Sequence, residues 1–502
     1  MKTIIDLLSD HEACCLLIKA AFSAEFCRQI IASKQQNFKA AKTHYPSSYR
    51  NNQRQVVDSE ALASTLFHQI KSYIPEKINK SGISKAEEGN WQIHSLNSRI
   101  RICRYLPAQY FNKHLDGIHY VSDSIQSKLT FMIYLNGHDE FDGGRTLFFA
   151  SKTDDSIVQD YLPEQGDLII FDHNLWHSGE TVHQGEKYVL RSDILYRRLD
   201  TPTDKQTKAF GEGHLGYIWT ATIHNDQLVT SGRDKQIKVW SLDGQKLAAF
   251  TGHQNSILSI LSFNPDTLIS ASRDQQIKIW QKSGTDFQAR HNLHLHAGSV
   301  LCLCKLDELR FLSGGADGIV NCVQADGNFL WRHAAHNEWI WDIGLVDDRH
   351  FATISEDGSL AVWALKNQKN LAAYQHDCPL TALAIGDQQM LYIGTFDGQI
   401  IQLQFDSEKG KLRQLNANAG HQNIIRRLRV DGQYLYSAGE DNTLKVWKKQ
   451  SLKRQSSYQH NNFVQDVAVH KDQIFSVSYD GEIRVHPNPK QQIIHKRITK
   501  QQ

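Results

Sequence analysis

The sequence predicts a mainly β chain made of two domains, and three observations support that division. The chain has 502 residues, which is more than one ordinary domain contains. Residues 1–200 begin with two helical stretches and continue with apolar stretches typical of strands. From about residue 210 the sequence repeats itself seven times with a period of about 40 residues. We therefore expect folding units at residues 1–200 and 210–490, joined by a polar linker at 201–209.

Two amphipathic stretches predict the helices. Residues 23–34 start with Ser23 as the N-cap and place Glu25 in the first turn. Residues 58–75 predict a second helix, with Asp58 as its cap and an end near the proline that closes the stretch.

The apolar stretches that follow predict a sheet. They lie at residues 98–106, 128–136, 146–150, 166–172 and 187–198. Helices first and then a run of strands indicate an antiparallel sheet or a double-stranded β-helix (jelly roll), with the helices packed on one side.

The repeat in the second half has a fixed internal spacing. Each unit starts with a histidine, namely His214, His253, His296, His336, His376, His421 and His460. An aspartate follows 20 or 21 residues later, at Asp234, Asp274, Asp317, Asp357, Asp397, Asp441 and Asp480. Six residues further on lie Trp240, Trp280, Val323, Trp363, Leu403, Trp447 and His486. This period, with short β-rich segments between, predicts a seven-bladed β-propeller of four-stranded blades.

The repeat resembles the WD repeats over residues 210–486. In that family the histidine, the aspartate and the tryptophan form a hydrogen-bonded set inside each blade, although no Trp-Asp dipeptide ends a unit here. The resemblance implies that the seven histidines belong to the framework and are not metal ligands. Residues 207–214 could supply the outer strand of the last blade, and the C-terminal tail, 490–502, is the alternative.

Composition narrows the possible partners. The net charge of +2 gives no basic surface for nucleic acid. The N-terminal apolar run is interrupted by acidic residues, so no signal peptide is expected. No apolar run reaches the roughly 18 residues of a transmembrane helix, so no membrane partner is expected.

The cysteines indicate a reducing environment. Eight cysteines without a Cys-x-x-Cys motif fit neither a disulfide framework nor a zinc cluster. Cys14, Cys15 and Cys27 lie in stretches expected to be helical and are predicted to be buried thiols. We expect a cytoplasmic protein.

One short motif in the first half suggests a metal site. His114 and Asp116 are two residues apart, so on a strand both side chains face the same way. A two-histidine, one-carboxylate triad needs a second histidine from another strand. The candidates are His119, His138, His173, His177 and His183. We favour His177, because it follows an apolar strand and precedes Lys187 by ten residues.

These residues resemble the iron(II)- and 2-oxoglutarate-dependent dioxygenases, within them the prolyl 4-hydroxylase-like group. That family carries His-x-Asp, a distal histidine, and a lysine or arginine about ten residues later. The similarity covers most of residues 15–198, and four segments support it in the correct order. They are YRNNQR (49–54), RICRYLPAQYFNKHLDG (101–117), YLNGHDEFDGGRTLFF (134–149) and HSGETVHQGEKYVLRSDILYRR (177–198).

The resemblance implies specific roles. His114, Asp116 and His177 match the iron ligands. Lys187 matches the cation that holds the far carboxylate of 2-oxoglutarate, and Arg191 is the rival anchor. Matching pocket residues are Tyr134, Tyr105 and the turn glycines Gly143 and Gly144. For the two tyrosines a place in the core is the alternative, for Lys187 a solvated surface and for Arg191 an ion pair.

The implied cofactors are Fe(II), 2-oxoglutarate as co-substrate and O2, with ascorbate as a candidate reductant. The implied products are succinate, carbon dioxide and a hydroxylated substrate. Related halogenases replace the carboxylate ligand by a small residue. Retention of Asp116 therefore favours hydroxylation.

The favoured function is a hydroxylase of a protein residue, with prolyl residues preferred and the propeller recruiting the substrate or a partner. Three alternatives stay open. The enzyme could act on a small molecule, the first domain could be idle within a WD-repeat interaction protein, or the substrate could be a nucleic acid. The near-neutral charge argues against the last.

Overall fold

The computed structural model describes residues 2–9, 13–34, 38–41, 46, 49–80, 88–122, 124–151, 154–199, 210, 213–284 and 286–489. The chain forms two compact units, Met1–Thr203 and Asp204–Gln502. The segment predicted as the linker, 201–209, lies outside the described residues.

The first unit contains two helices and seventeen described strands. The helices are α1 (Ala24–Lys34) and α2 (Glu60–Ile70), and a short 3-10 turn follows at Lys71–Tyr73. The strands are β1 (Ile4–Asp6), β2 (Cys15–Ile18), β3 (Lys39–Ala40), β4 (Gln53–Asp58), β5 (Lys77–Lys80), β6 (Gly89–Leu96), β7 (Arg99–Tyr105), β8 (Phe111–His114), β9 (Tyr120–Ser122), β10 (Ile125–Tyr134), β11 (Phe141–Gly143), β12 (Thr146–Phe149), β13 (Ile157–Tyr161), β14 (Leu168–Asp172), β15 (Trp176–Gly179), β16 (Val182–Gly185) and β17 (Lys187–Arg198).

These strands form the two antiparallel sheets of a jelly roll. The main sheet has the order β1-β2-β14-β10-β17-β7-β4-β3, with β5, β6 and β9 paired alongside. The second sheet has the order β13-β12-β15-β8, and β11 pairs with β16. The mainly β class and the jelly roll expected from the sequence are therefore found.

The central strand β10 shows how the two faces of the main sheet differ. Leu129, Phe131 and Ile133 belong to the core that also contains the buried side chains of α2. Met132 and Tyr134, on the opposite face, belong to a second core that includes residues of the second sheet. Because side chains alternate along a strand, one face is covered by helices and the other faces the second sheet.

The start of α2 differs by one residue from the sequence prediction. The N-cap is Ser59, whose Oγ accepts a hydrogen bond from the Leu62 amide at 3.2 Å, and not Asp58. Asp58 is instead the last residue of β4, where it pairs with Arg99 of β7. In α1 the expected cap is present, since Ser23 Oγ accepts from the Phe26 amide at 3.2 Å.

The two vicinal cysteines are not helical as predicted. Cys15 begins β2 and Cys14 precedes it, because this apolar stretch pairs with β14 along the main sheet. Cys27 does lie in α1. Cys15 and Cys27 are buried and Cys14 is half-buried.

In the described part of the chain, no helix has the length and apolar character required to cross a bilayer.

The second unit consists of seven sheets formed by consecutive strands. The first three are β18 (Ile218–His224), β19 (Gln227–Gly232), β20 (Gln236–Trp240) and β21 (Lys246–Thr251); β22 (Ile257–Asn264), β23 (Thr267–Ser272), β24 (Ile277–Ser283) and β25 (Asp286–Leu293); and β26 (Val300–Lys305), β27 (Arg310–Gly315), β28 (Ile319–Gln324) and β29 (Phe329–Ala334). The next two are β30 (Ile340–Asp347), β31 (His350–Ser355), β32 (Ser359–Ala364) and β33 (Asn370–Gln375); and β34 (Leu380–Ile385), β35 (Met390–Thr395), β36 (Gln399–Asp406) and β37 (Lys411–Ala419). The last two are β38 (Ile425–Asp431), β39 (Tyr434–Gly439), β40 (Thr443–Lys448) and β41 (Lys453–Gln459); and β42 (Val464–His470), β43 (Gln473–Ser478) and β44 (Ile483–Pro487).

The sheets close into a ring, which makes this unit a seven-bladed propeller. The first strand of each sheet packs against the first strand of the next, and β42 of the last sheet packs against β18 of the first. A hydrogen bond crosses that closure, because the Ala221 amide donates to Asp466 Oδ2 at 3.1 Å.

The repeat histidines take part in the hydrogen-bonded sets that the sequence predicts. In five blades the histidine Nδ1 meets the repeat aspartate, in the pairs His214–Asp234, His253–Asp274, His296–Asp317, His336–Asp357 and His421–Asp441. In the second blade, Ser270 Oγ lies 2.7 Å from His253 Nε2 and 2.8 Å from Trp280 Nε1.

The fifth blade departs from this pattern. Ile393 occupies the position of Ser270 and Leu403 that of Trp280, so no hydroxyl or indole is present there to bind His376. His376 Nδ1 instead accepts from the Cys378 amide at 3.2 Å.

The last sheet has three strands among the described residues. Phe210 is buried against Trp240 and Phe475, with ring centroids 5.8 and 6.1 Å away. Residues 207–209 and 211–212 of the first candidate for a fourth strand lie outside the described residues, as does the whole C-terminal alternative, 490–502.

Candidate metal centre

The pairing of two short strands of the second sheet brings the two histidines together. His177 of β15 is the direct antiparallel partner of His114, which ends β8. Asp116 was expected on the same strand as His114, but the chain leaves β8 before it. The Asp116 amide donates instead to the carbonyl oxygen of His173 at 3.2 Å, which turns the carboxylate toward both histidines.

The three side chains form a compact buried cluster. Their candidate ligand atoms all lie within 4.8 Å of one another. His114 Nε2 is 3.8 Å from Asp116 Oδ1, and His177 Nε2 is 3.7 Å from Asp116 Oδ2. No other group of three such residues with this spacing occurs among the residues that the structure describes.

The hydrogen bonds of the histidines fix which nitrogen can bind a metal. His114 Nδ1–H donates to the Asn112 carbonyl at 2.7 Å, and His177 Nδ1–H donates to the Leu175 carbonyl at 2.9 Å. Each Nε2 therefore carries a lone pair, and neither buried Nε2 has a hydrogen-bond partner within the described ranges. Burial lowers the pKa of both imidazoles, which keeps them neutral and able to coordinate.

Aromatic rings hold the two imidazoles in place. Phe111 stacks on His114 with ring centroids 3.6 Å apart, and Tyr49 meets the same imidazole edge-on at 5.8 Å. Phe171 meets His177 edge-on at 4.7 Å. Such contacts restrict ring rotation and keep water from the cluster, which favours a preformed site.

Asp116 is held as a charged carboxylate by two residues of the main sheet. Arg191 Nη2 hydrogen-bonds to Oδ1, and Thr130 Oγ1 donates to Oδ2 at 2.6 Å. Burial would raise the pKa of Asp116, but Arg191 and then the histidines outweigh it and hold that pKa well below its usual value. Thr130 was missed by the sequence analysis, although a threonine within an apolar strand was a usable signal.

Lys187 is a buried cation on β17, four residues before Arg191. It is 3% exposed, and no carboxylate of the described residues lies within 4.0 Å of its ammonium group. Its Nζ donates to the Gly144 carbonyl at 2.6 Å and lies 5.5 Å from the ring centres of Tyr105 and Tyr134. Burial lowers the pKa of Lys187 to about 7 although Glu180 acts in the opposite direction, so an anion placed beside it would be strongly favoured.

Gly144 and the two tyrosines lie around Lys187, and Gly143 belongs to the same turn as Gly144. Gly143 and Gly144 have φ angles of +73° and +64°, and a Cβ on Gly144 would lie 3.2 Å from the Lys187 side chain. This is the close backbone approach that the sequence predicts. Tyr134 is fully buried with its hydroxyl 2.7 Å from Thr146 Oγ1, and Tyr105 is also buried.

The other candidate histidines lie outside the cluster. His138 and His183 are exposed and His119 is half-buried. His173 is buried and holds Asp116 through its backbone, while its Nδ1 lies 3.5 Å from Ser127 Oγ.

Two imidazole nitrogens and one carboxylate are the donor set of non-haem iron(II) centres that leave positions open for other ligands. The cluster fits that group, because both imidazoles are oriented and neutral and neither Nε2 has a hydrogen-bond partner in the described part of the chain.

Comparison with known proteins agrees with both units. The family model of the 2OG-Fe(II) oxygenase superfamily matches residues 100–192. The model of the WD domain, G-beta repeat, matches residues 205–241, 244–281 and 412–448. The chain therefore joins a 2OG-Fe(II) oxygenase superfamily domain to a domain of WD repeats.

Two curated proteins are similar to separate parts of the chain. "Putative prolyl 4-hydroxylase" of Acanthamoeba polyphaga mimivirus is 30% identical over 18% of this chain and 41% of its own length. "WD repeat-containing protein 55 homolog" of Dictyostelium discoideum is 23% identical over 31% of this chain and 39% of its own length. The chain thus spans about two fifths of the length of each of these relatives.

Divalent metal should stabilise the first unit through this cluster. Cobalt(II) or manganese(II) at about 100 times its dissociation constant should raise the free energy of unfolding by about 2.7 kcal/mol. His177→Ala and Asp116→Asn should remove most of that gain, because each removes a ligand atom. His138→Ala is the matched control and should keep it, and thermal unfolding with and without metal measures the effect. Equal stabilisation of all four proteins would show that the metal binds elsewhere.

Proposed function

We propose that the first unit is an iron(II)- and 2-oxoglutarate-dependent hydroxylase that modifies a protein residue, with prolyl residues favoured. One observation carries the proposal: a buried His-Asp-His cluster, whose two Nε2 atoms have no hydrogen-bond partner among the described residues, lies in the same folded unit as a buried lysine that pairs with no described carboxylate.

The residues present suggest how the cofactors would be held. His114, Asp116 and His177 would bind iron(II), and Lys187 would pair with the far carboxylate of 2-oxoglutarate. Tyr134 and Tyr105 would line the co-substrate pocket. When bound, iron(II) supplies the redox chemistry by which O2 and 2-oxoglutarate give succinate, carbon dioxide and a hydroxylated C–H bond, with ascorbate as a candidate reductant.

The aromatic residues around the cluster orient the two imidazoles and keep the site apolar. The stacked Phe111 and the edge-on Phe171 keep the imidazoles from turning, and their apolar faces exclude water. A buried carboxylate of the co-substrate is costly without a cation, and Lys187 provides one at a position where it is already desolvated.

A protein substrate is favoured by the second unit. A propeller is a rigid platform, and WD repeats suggest protein interaction. The viral relative carries prolyl 4-hydroxylase in its name, which supports a prolyl target. A small-molecule substrate is the alternative within the enzyme class, and a WD-repeat interaction protein with an idle first unit is the alternative outside it. The intact cluster argues against the idle unit, and the near-neutral charge argues against a nucleic acid.

We propose a cytoplasmic location for the protein. All eight cysteines are free thiols, five of them buried, which is compatible with a reducing compartment.

Succinate formation tests the activity. Protein reconstituted anaerobically with iron(II) and then given 2-oxoglutarate and air should release succinate, and Asp116→Ala and His177→Ala should reduce this to background. Binding of iron(II) and 2-oxoglutarate is measured in parallel. If the wild type binds neither, the hydroxylase proposal is wrong and the idle first unit is supported.

The affinity for 2-oxoglutarate should fall as pH rises above 7. Lys187 has a pKa of about 7 when no anion is beside it, so binding above that pH must take up a proton. The dissociation constant, measured by titration with manganese(II) present, should rise up to about tenfold per pH unit between pH 7.5 and 8.5.

Lys187→Arg is the matched control for this pH dependence. A guanidinium stays charged throughout the range, so the slope should disappear even if the affinity changes. The same slope in both proteins would show that another group titrates.

Removal of the second unit should separate catalysis from recruitment. A fragment ending at Thr203, where the first compact unit ends, should keep basal turnover of 2-oxoglutarate. Its activity on a protein substrate should drop by about 100-fold, because tethering no longer raises the local concentration of the target. Equal activity of the fragment and the full chain on that substrate would contradict recruitment by the propeller.

A further inference from the structure

We propose that Arg191 and Thr130 are positioning residues for Asp116, and that Arg191 is not the anchor of 2-oxoglutarate. This inference rests on the proposed function, since it concerns how the carboxylate ligand is presented. It assigns to two residues of the main sheet the task of holding the carboxylate ligand, and neither residue belongs to the His-Asp-His triad.

The two residues lie on neighbouring strands and point to the same face. Thr130 of β10 pairs with Asp193 of β17, and Met132 pairs with Arg191. Residues two apart on a strand share a face, so Thr130 and Arg191 form a diagonal pair on the face that meets the second sheet. Asp116 follows the end of β8 and precedes Arg191 by 75 positions in the chain.

Each oxygen of Asp116 is held separately. Arg191 hydrogen-bonds to Oδ1, and Thr130 donates to Oδ2 at 2.6 Å. The same oxygens face His114 and His177, at 3.8 and 3.7 Å from their Nε2 atoms. Two donors on two different oxygens fix the plane of the carboxylate, which leaves the remaining lone pairs directed toward the space between the imidazoles.

The positions of the two cations indicate different tasks. Lys187 and Arg191 are four residues apart on β17, which corresponds to roughly 13 Å along a strand. Arg191 contacts a metal-ligand candidate directly, whereas Lys187 is held at the Gly144 turn. The chelating end of 2-oxoglutarate would bind at the metal, so Lys187, which is farther from Asp116 along β17 than Arg191 is, would be suited to the far carboxylate.

The surroundings of Arg191 also fit a positioning role. Burial disfavours its charge, but Asp116 and Asp193 more than compensate and raise its pKa. Its Nε–H, however, has no acceptor among the described residues, so a direct contact with a bound co-substrate is the competing role. The two roles predict different affinities, because one acts through the metal ligand and the other on 2-oxoglutarate.

The experiment compares cobalt(II) affinity with 2-oxoglutarate affinity in the full chain. Cobalt(II) is bound by the same donor types, and its visible absorption reports changes in the ligands. The variants are Arg191→Met, Arg191→Lys, Thr130→Val and Lys187→Met. Arg101→Met is the matched control. Arg101 is the antiparallel partner of Arg191 on the neighbouring strand β7, but it forms its ion pair with Asp193 and not with Asp116.

Arg191→Met and Thr130→Val should weaken cobalt(II) binding about 10- to 100-fold and alter its absorption spectrum. At saturating cobalt(II), their affinity for 2-oxoglutarate should stay within about threefold of the wild type. Arg191→Lys should recover part of the cobalt(II) affinity. Lys187→Met should show the opposite pattern, and Arg101→Met should change neither affinity. Thr130→Val is nearly isosteric, so it keeps the test valid if Arg191→Met does not fold.

Loss of 2-oxoglutarate binding in place of loss of cobalt(II) binding would overturn the inference. Unchanged cobalt(II) affinity in Arg191→Met and Thr130→Val, with 2-oxoglutarate binding lost in Arg191→Met, would make Arg191 the co-substrate anchor. If the wild type also binds cobalt(II) and forms succinate, that result would contradict only the role of Arg191 and would leave the proposed function intact. A wild type that binds no cobalt(II) would instead contradict the proposed function itself.

Discussion

The register between β8 and β15 is the constraint on which the candidate site depends. It places His177 directly opposite His114, so that both imidazoles emerge on one face of the second sheet. Because side chains alternate, a slip of one residue would turn one histidine to the opposite face. The same register places the centroids of the two imidazole rings 4.1 Å apart. The contact of Asp116 with both imidazoles therefore follows from strand pairing rather than from the local His-x-Asp spacing.

The site also depends on a balance of buried charges on one face of the main sheet. Asp116 is compensated by Arg191, and Asp193 is compensated by Arg101 and hydrogen-bonded by Asn97. Lys187 is the exception, since no carboxylate of the described residues is near enough to pair with it. A buried ammonium without an anion is unfavourable in the unliganded protein. A dianionic co-substrate would remove that penalty, which couples binding of the ligand to stability of the site.

In the propeller, the repeat histidines form structural hydrogen bonds within the blades. Histidines that in isolation resemble metal ligands are bound on both nitrogens, as in His253 between Asp274 and Ser270. The fifth blade shows what the set contributes, because its apolar replacements Ile393 and Leu403 leave His376 to a local contact with Cys378. The blade still forms four strands, so the hydrophobic contacts between strands are sufficient for the fold and the hydrogen-bonded set adds order.

The sequence by itself determined the mainly β class and the seven-fold repeat, because each depends on a short-range pattern, and it indicated the three residues of the cluster through their order along the chain. Period, residue type and spacing are local properties. Local patterns were also the source of the errors: Asp58 was taken as a cap, Cys15 as helical and Asp116 as part of a strand. In each case a partner distant in the chain decided the structure.

Only the tertiary structure decided which cation meets which carboxylate. Arg191 and Lys187 have the same sequence signature, four residues apart on one strand, yet one pairs with Asp116 and the other has a buried ammonium beside Gly144. The roles of Thr130 and Phe111 likewise arise only when β10 and β8 meet the other elements. The physical reason is that these contacts join residues from distant positions in the chain, and burial then fixes their geometry and their charge.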